Sequence, residues 1–193
     1  MKLVIIDYGA GNIRSIKFAF ERLGYQAVLS DDAEEIAAAD KVIFPGVGAA
    51  ARAMEKLKAS KLHTLIPELT QPVLGICLGM QLMCTYSEEG NTQGLSIFDV
   101  AVKRFKEGQK VPQIGWNKIE QLQSPLFKGI DEGAYIYMVH SYYAPLCEQT
   151  IATSDYGLAY SAALQRDNFY GLQFHPEKSS VEGEIILKNF LAL

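Results

Sequence analysis

The chain has 193 residues, 49% of them hydrophobic and 21% charged, and a formal net charge of -4. This composition excludes a disordered chain, and with no basic run it excludes a general attraction for nucleic acid or an anionic membrane. The length suits one domain over residues 1–193. Three cysteines, Cys77, Cys84 and Cys147, form an odd set without C-x-x-C spacing, so reduced thiols are expected rather than a disulfide framework or a metal site. MKLVIIDYGAGN turns polar after one short apolar run, unlike a signal peptide or a membrane span, which makes a cytoplasmic enzyme the expectation.

Lys2 to Asp7 is a β-branched run ending in a glycine-bearing turn, and apolar residues at 13, 16, 20 and 23 then predict a helix that stops at Gly24. Gln26 to Leu29 reads as a strand, Asp32 to Ala39 as a helix opened by acidic residues, and Lys41 to Phe44 as a strand entering PGVGA. Helical spacing runs from Ala49 to Leu69 with a break near Ser60. Val73 to Ile76 is a fourth buried strand, feeding a helix from Leu78 to about Ser87. Beyond Gly94 come short strand-like segments, VAVKRF, YIYMVHSYYA, TIATS and the pair SAALQRD and NFYGLQF, before a last helix from Val181 to Leu193. The alternation implies an α/β fold: a mostly parallel, doubly wound sheet with flanking helices and an additional antiparallel strand region in the C-terminal half.

Gly75-Ile76-Cys77-Leu78-Gly79 has the form of a nucleophile elbow with cysteine in place of serine. A sharp strand-to-helix turn strains the backbone at the nucleophile, and glycines two residues away on either side relieve the crowding. The N-terminus of the following helix favours a thiolate and offers N–H groups to an oxyanion. Cys84, without glycines, reads as a core residue, and Cys147 has nothing beside it to activate it. Among three histidines, His175 is the best base, because Glu177 lies two residues on and Pro176 is expected to hold an extended backbone that puts both on one face. That gives a Cys-His-Glu set. His140 is the competing base, in an aromatic strand with no nearby acid, and His63 reads as surface. The loop Pro45-Gly46-Val47-Gly48 follows a strand end and can present a second oxyanion donor beside Cys77. Asp7-Tyr8-Gly9-Ala10-Gly11-Asn12 fails the dinucleotide fingerprint, since Arg14 stands where the third glycine belongs, so no cofactor is expected.

GICLGMQLM, FHPEKS and PGVGA together resemble the class I (triad) glutamine amidotransferases. With IIDYGAGNI, IGWN and VHSYY added, the likeness extends along essentially the whole chain to the branch formed by glutaminase subunits of imidazole glycerol phosphate synthases. The resemblance implies Cys77 as nucleophile, His175 as general base and acid, and Glu177 as the group that orients it. Leu78 N–H with an N–H of Val47 or Gly48 would form the oxyanion hole, and Gln81, Glu89, Ser141 and Tyr142 would hold the amino-acid end of L-glutamine. It further implies a heterodimer partner, a (β/α)8-barrel cyclase subunit, bound near Asn12, Gln113, Trp116, Tyr137 and Lys178. A cysteine peptidase or other hydrolase on the same elbow, and a non-catalytic binding module, are the other readings these residues allow.

Overall fold

The computed structural model describes residues 1–9, 12–106 and 108–193. Ala10 and Gly11 of the first turn lie outside them. In chain order the elements are β1 (Leu3–Ile6), α1 (Ile13–Arg22), β2 (Ala27–Ser30), α2 (Ala33–Ala37), β3 (Lys41–Gly46), α3 (Ala50–Ala59), α4 (Leu62–Leu65), β4 (Val73–Cys77) and α5 (Leu78–Met83). There follow β5 (Cys84–Ser87), β6 (Thr92–Gln93), β7 (Phe98–Arg104), β8 (Gln113–Ile119), β9 (Ala134–His140), β10 (Tyr142–Tyr143), β11 (Thr150–Asp155), β12 (Ala159–Arg166), β13 (Phe169–Leu172) and α6 (Ser180–Leu191).

The fold is α/β. Its main sheet has the order β11-β12-β13-β4-β3-β1-β2, parallel from β13 to β2, with β12 antiparallel to both β13 and β11. Side-chain alternation divides the core between the two faces of the sheet. Leu3, Ile5, Ile43 and Leu74 pack toward Phe20 of α1 and Phe190 of α6, whereas Val4, Ile6, Val42 and Phe44 pack toward Ile36 of α2, Leu57 of α3 and Met83 of α5.

One element differs from the sequence reading, and one lies in a segment to which that reading gave no element. The expected helix from Leu78 to Ser87 stops at Met83, and Cys84 opens β5, which pairs with β6 and β7. The segment around IGWN is a strand, β8, forming a ribbon with β9. The break expected near Ser60 falls at Ser60 and Lys61, where Lys61 takes a left-handed φ of 60° that an α-helix cannot contain. Elsewhere local chemistry sets the ends as expected: Asp32, for instance, caps α2 by accepting the Glu35 N–H at 2.8 Å.

Candidate active site

Register brings the candidate residues together. Gly46 of β3 pairs with Cys77 of β4, and Leu172 of β13 pairs with Ile76, so the loop after β3 and the segment after β13 both flank the elbow at the carboxyl edge of the sheet. Cys77 has φ 54° and ψ -110°, a strained conformation for a residue with a side chain. The glycines answer to neighbours across space as well as to the turn itself. A Cβ on Gly79 would stand 2.0 Å from the Phe44 carbonyl oxygen of β3, and one on Gly75 would stand 2.9 Å from Met80 N at the start of α5.

His175 and Glu177 are paired as expected, with Nδ1 2.9 Å from Oε1, but by a different device. Pro176–Lys178 is a 3-10 turn rather than extended chain, with only His175 extended before it. Proline, lacking an N–H, suits the first position of such a turn, which then folds Glu177 back under the ring. The turn is anchored to β9: the His175 N–H donates to Tyr137 O at 3.1 Å, and the Ser179 hydroxyl donates to His175 O at 2.7 Å while accepting the Tyr137 N–H at 3.0 Å. Glu177 Oε2 is buried and has no hydrogen-bond partner among the described residues.

Burial alone would lower the His175 pKa, but hydrogen bonding to Cys77 and Glu177 and the negative charge on both raise it to about 10. The ring therefore senses the sulfur, yet the sulfur's well-formed polar contacts run to Val139 O, at 3.7 Å, and Gln173 Nε2, at 3.9 Å. Among the described residues the sulfur's hydrogen bonds do not include one to the imidazole. His140 cannot compete as base. Its Nδ1–H donates to Tyr142 O at 2.7 Å, Nε2 lies 3.3 Å from the Tyr160 hydroxyl, and burial holds its pKa down at about 4.

A cleft of about 270 Å³ is lined by Cys77 and His175 together with Val47, Gly48, Leu78, Gln81, Glu89, Ser141, Tyr142 and Lys178. Two of these side chains already have work. Gln81 Nε2 donates to Tyr142 O and to Gln173 Oε1, each at 2.9 Å, and Glu89 Oε2 accepts the Ala50 N–H of α3 at 2.9 Å. Gln173, fully buried between Gln81 and the sulfur, and Val139 on the cleft wall were missed by sequence reasoning. The signal for Gln173 was available: an amide two residues before His175, at the end of an otherwise apolar strand.

Cys84 is buried with its sulfur 3.5 Å from Met80 O, as a core residue should be, and burial pushes its thiol well up. Of the expected partner-facing residues, Asn12 and Lys178 are exposed and Trp116 is 52% exposed. Trp116 packs edge-on against Tyr137 at 6.0 Å, and Lys178 Nζ lies 6.0 Å from the Tyr137 ring centroid. Gln113 is 4% exposed, and its Oε1 accepts from the buried Tyr160 hydroxyl at 3.0 Å, so its side chain faces inward. His63 is half-buried rather than on the surface. Among the described residues no group of His, Cys, Asp and Glu could hold a metal, and no helix is long and apolar enough to cross a membrane.

A strained cysteine at a strand-to-helix turn, facing a carboxylate-anchored imidazole across an open cleft, is the arrangement of a cysteine hydrolase. The model of the class-I glutamine amidotransferase family matches residues 4–193, and the chain belongs to that family. Imidazole glycerol phosphate synthase subunit HisH of Bacteroides fragilis is 58% identical to it over the whole of both chains. The protein of the same name from Pectobacterium atrosepticum is 50% identical, again over the whole of both. A solved crystal structure described as a glutamine amidotransferase, 19% identical, shares the fold with a TM-score of 0.76, covering 98% of this chain and 97% of that one.

Proposed function

We propose that the chain is the glutaminase subunit of an imidazole glycerol phosphate synthase. It hydrolyses L-glutamine to glutamate and ammonia, and a cyclase subunit uses the ammonia to make imidazole glycerol phosphate and the aminoimidazole carboxamide ribonucleotide in histidine biosynthesis, in the cytoplasm. The observation that carries the reading is the cleft in which Cys77 and the His175–Glu177 pair meet, in a chain at least half identical to relatives bearing that subunit's name.

In this reading Cys77 Sγ attacks the side-chain amide carbon of glutamine, and Leu78 N–H with an N–H of Val47 or Gly48 takes the oxyanion. The raised pKa of His175 leaves it holding the proton that the departing nitrogen needs, so ammonia leaves and a glutamyl thioester remains. The now neutral ring takes a proton from water, which attacks the thioester through a second oxyanion and frees glutamate and the thiolate. Glu177 keeps the ring oriented and its charge compensated. Each backbone donor of the hole is worth about 3 to 4 kcal/mol, a factor of several hundred or more in rate. Ser141 and Tyr142 offer hydrogen bonds to the amino-acid end of the substrate, and Glu89 offers charge to its ammonium, with one oxygen already fixed on α3.

The partner is proposed to dock on the outward face of the β8–β9 ribbon. In register, Ile114 stands opposite Val139, Trp116 opposite Tyr137 and Lys118 opposite Tyr135. Val139 also lines the cleft, so this face reaches the chemistry without a break.

The complex of this chain with its cyclase tests the reading. Cys77→Ser should lower glutamine-dependent synthesis by roughly 10³-fold or more, while synthesis from added ammonium salt stays at the wild-type rate. Glutamine-dependent turnover retained in that variant overturns it.

A further inference from the structure

Strand β3 runs further than its neighbour β1. The two pair only as far as Ile5 opposite Ile43, whereas β3 and β4 stay paired on to Gly46 opposite Cys77. The Pro45 carbonyl therefore lies beyond the ladder of β1, and a buried carbonyl without a donor is costly. A side chain supplies the donor: the Tyr8 hydroxyl donates to Pro45 O at 2.9 Å. Tyr8 is only 6% exposed, and its ring rests against Phe44 with centroids 5.7 Å apart, so the hydroxyl has little freedom to point elsewhere.

The peptide held in this way is the one pressed against the elbow. A Cβ on Gly46 would stand 2.6 Å from Gly79 N and 2.8 Å from Leu78 Cβ. A trans peptide carries its carbonyl and its N–H on opposite edges. Holding Pro45 O toward Tyr8 therefore turns the Gly46 N–H toward the Cys77 side, and sets the direction in which the chain enters Val47 and Gly48. Gly48 follows at φ 93°, with nothing within 4 Å of a Cβ placed there, and Val47 is 40% exposed, so side-chain packing does not fix these two residues.

We propose that Tyr8 is a positioning residue for glutamine hydrolysis: by holding the Pro45 carbonyl, its hydroxyl aims the backbone donors of the following loop at the oxyanion formed on Cys77. The inference rests on the glutaminase reading. Tyr8 takes no part in proton transfer, because burial first, and then the charge on Cys77, push its pKa well above the usual tyrosine range. It stays a donor throughout the working pH range, close enough to the sulfur to sense its charge.

Tyr8→Phe keeps the ring and removes the hydroxyl. In the complex with the cyclase, kcat for glutamine should fall roughly 10-fold or more while KM stays within about twofold, because the lost contact acts on the transition state. Rates are referred to the Cys77 that iodoacetamide can titrate, so partial misfolding cannot imitate the effect. Iodoacetamide, which forms no oxyanion, should label Cys77 at the wild-type rate, and a glutamine-like chloroketone, which forms one, should slow by the same factor as kcat. A wild-type kcat in Tyr8→Phe overturns the proposal, as does a rise in KM with kcat intact or an equal slowing of both reagents. Absence of glutaminase turnover in the wild-type complex overturns the underlying reading instead.

Discussion

Two histidines border one cleft and are pushed in opposite directions. For His175, burial would lower the pKa, but Cys77 and Glu177 outweigh it, so the folded state holds a proton that the unfolded chain releases near pH 6.5. The stability this contributes is fully present below that pH and is lost as pH rises through about 10. His140 behaves the other way. Burial, aided by the charge of His175 and opposed by the Tyr142 carbonyl, holds its pKa at about 4, so on acidification the unfolded chain takes up a proton first. Its contribution is complete above pH 6.5, falls as pH drops through that window and levels off below about 4. At about 1.4 kcal/mol per unit, the loss comes to roughly 3 kcal/mol. His140→Phe retains a ring against Phe105, which now packs on the imidazole with centroids 5.3 Å apart. Urea unfolding at pH 7 and at pH 4.5 should show a smaller difference in that variant than in wild type, by about 2 to 3 kcal/mol. An unchanged difference would mean that His140 is protonated in the native protein. The variant should also be somewhat less stable at pH 7, because Tyr142 O loses one of its two donors and keeps only Gln81 Nε2.

Among the elements, the elbow depends on how closely α5 sits on β3. With the Phe44 carbonyl 2.0 Å from where a Gly79 Cβ would lie, Gly79→Ala must push the helix off the strand, and the obstacle is backbone that no rotamer change can move. Overpacking of this kind costs roughly 1–3 kcal/mol and sometimes more. Gly79→Ala should therefore lose about 3 kcal/mol in urea unfolding and slow Cys77 alkylation, since Leu78 and Gly79 carry the turn that aims the sulfur. A variant with wild-type stability would show that helix and strand can part without cost. The need for glycine was legible in the pattern around Cys77, but its reason was only half legible, because the partner in the contact, Phe44, lies on a different strand far back in the chain. The His175–Glu177 pair was legible in the same sense, as a spacing of two. The 3-10 turn that makes the pair was not, since i to i+2 proximity arises from an extended chain or from a tight turn, and the anchors that select the turn, Tyr137 and Ser179, are tertiary. The early end of α5 has a similar origin. The helical period of LGMQLMC continues past Met83, but the pairing of Cys84 with Phe98 and of Ser87 with Thr92 overrides it. The inward turn of Gln113 was invisible for the same reason, its partner Tyr160 being brought in by β12.

Across the whole molecule, the β8–β9 ribbon is separate from the main sheet and buries only one of its faces. Ile119, Ile136 and Met138 point into the core, whereas Ile114, Trp116 and Tyr135 are exposed on the other face at 62%, 52% and 52%. Large apolar side chains alternating outward along paired strands, beside an open catalytic cleft, form a surface suited to burial by another protein. Tryptophan is among the residue types that most often carry binding energy at such a centre, and here Tyr137 packs edge-on against it. Under the proposed function, Trp116→Ala should weaken association with the cyclase by about 30-fold or more in isothermal titration, equivalent to about 2 kcal/mol. Because its side chain is half exposed in the isolated chain, the same change should move the urea midpoint little, by no more than about 0.5 kcal/mol. The control is Val28→Asp, on the edge strand β2 at the far end of the main sheet, where a 39% exposed side chain can take a charge without entering the ribbon face. That variant should bind as wild type does. Equal weakening by both changes would place the contact elsewhere, and weakening by neither would mean that the aromatic face serves something other than the cyclase.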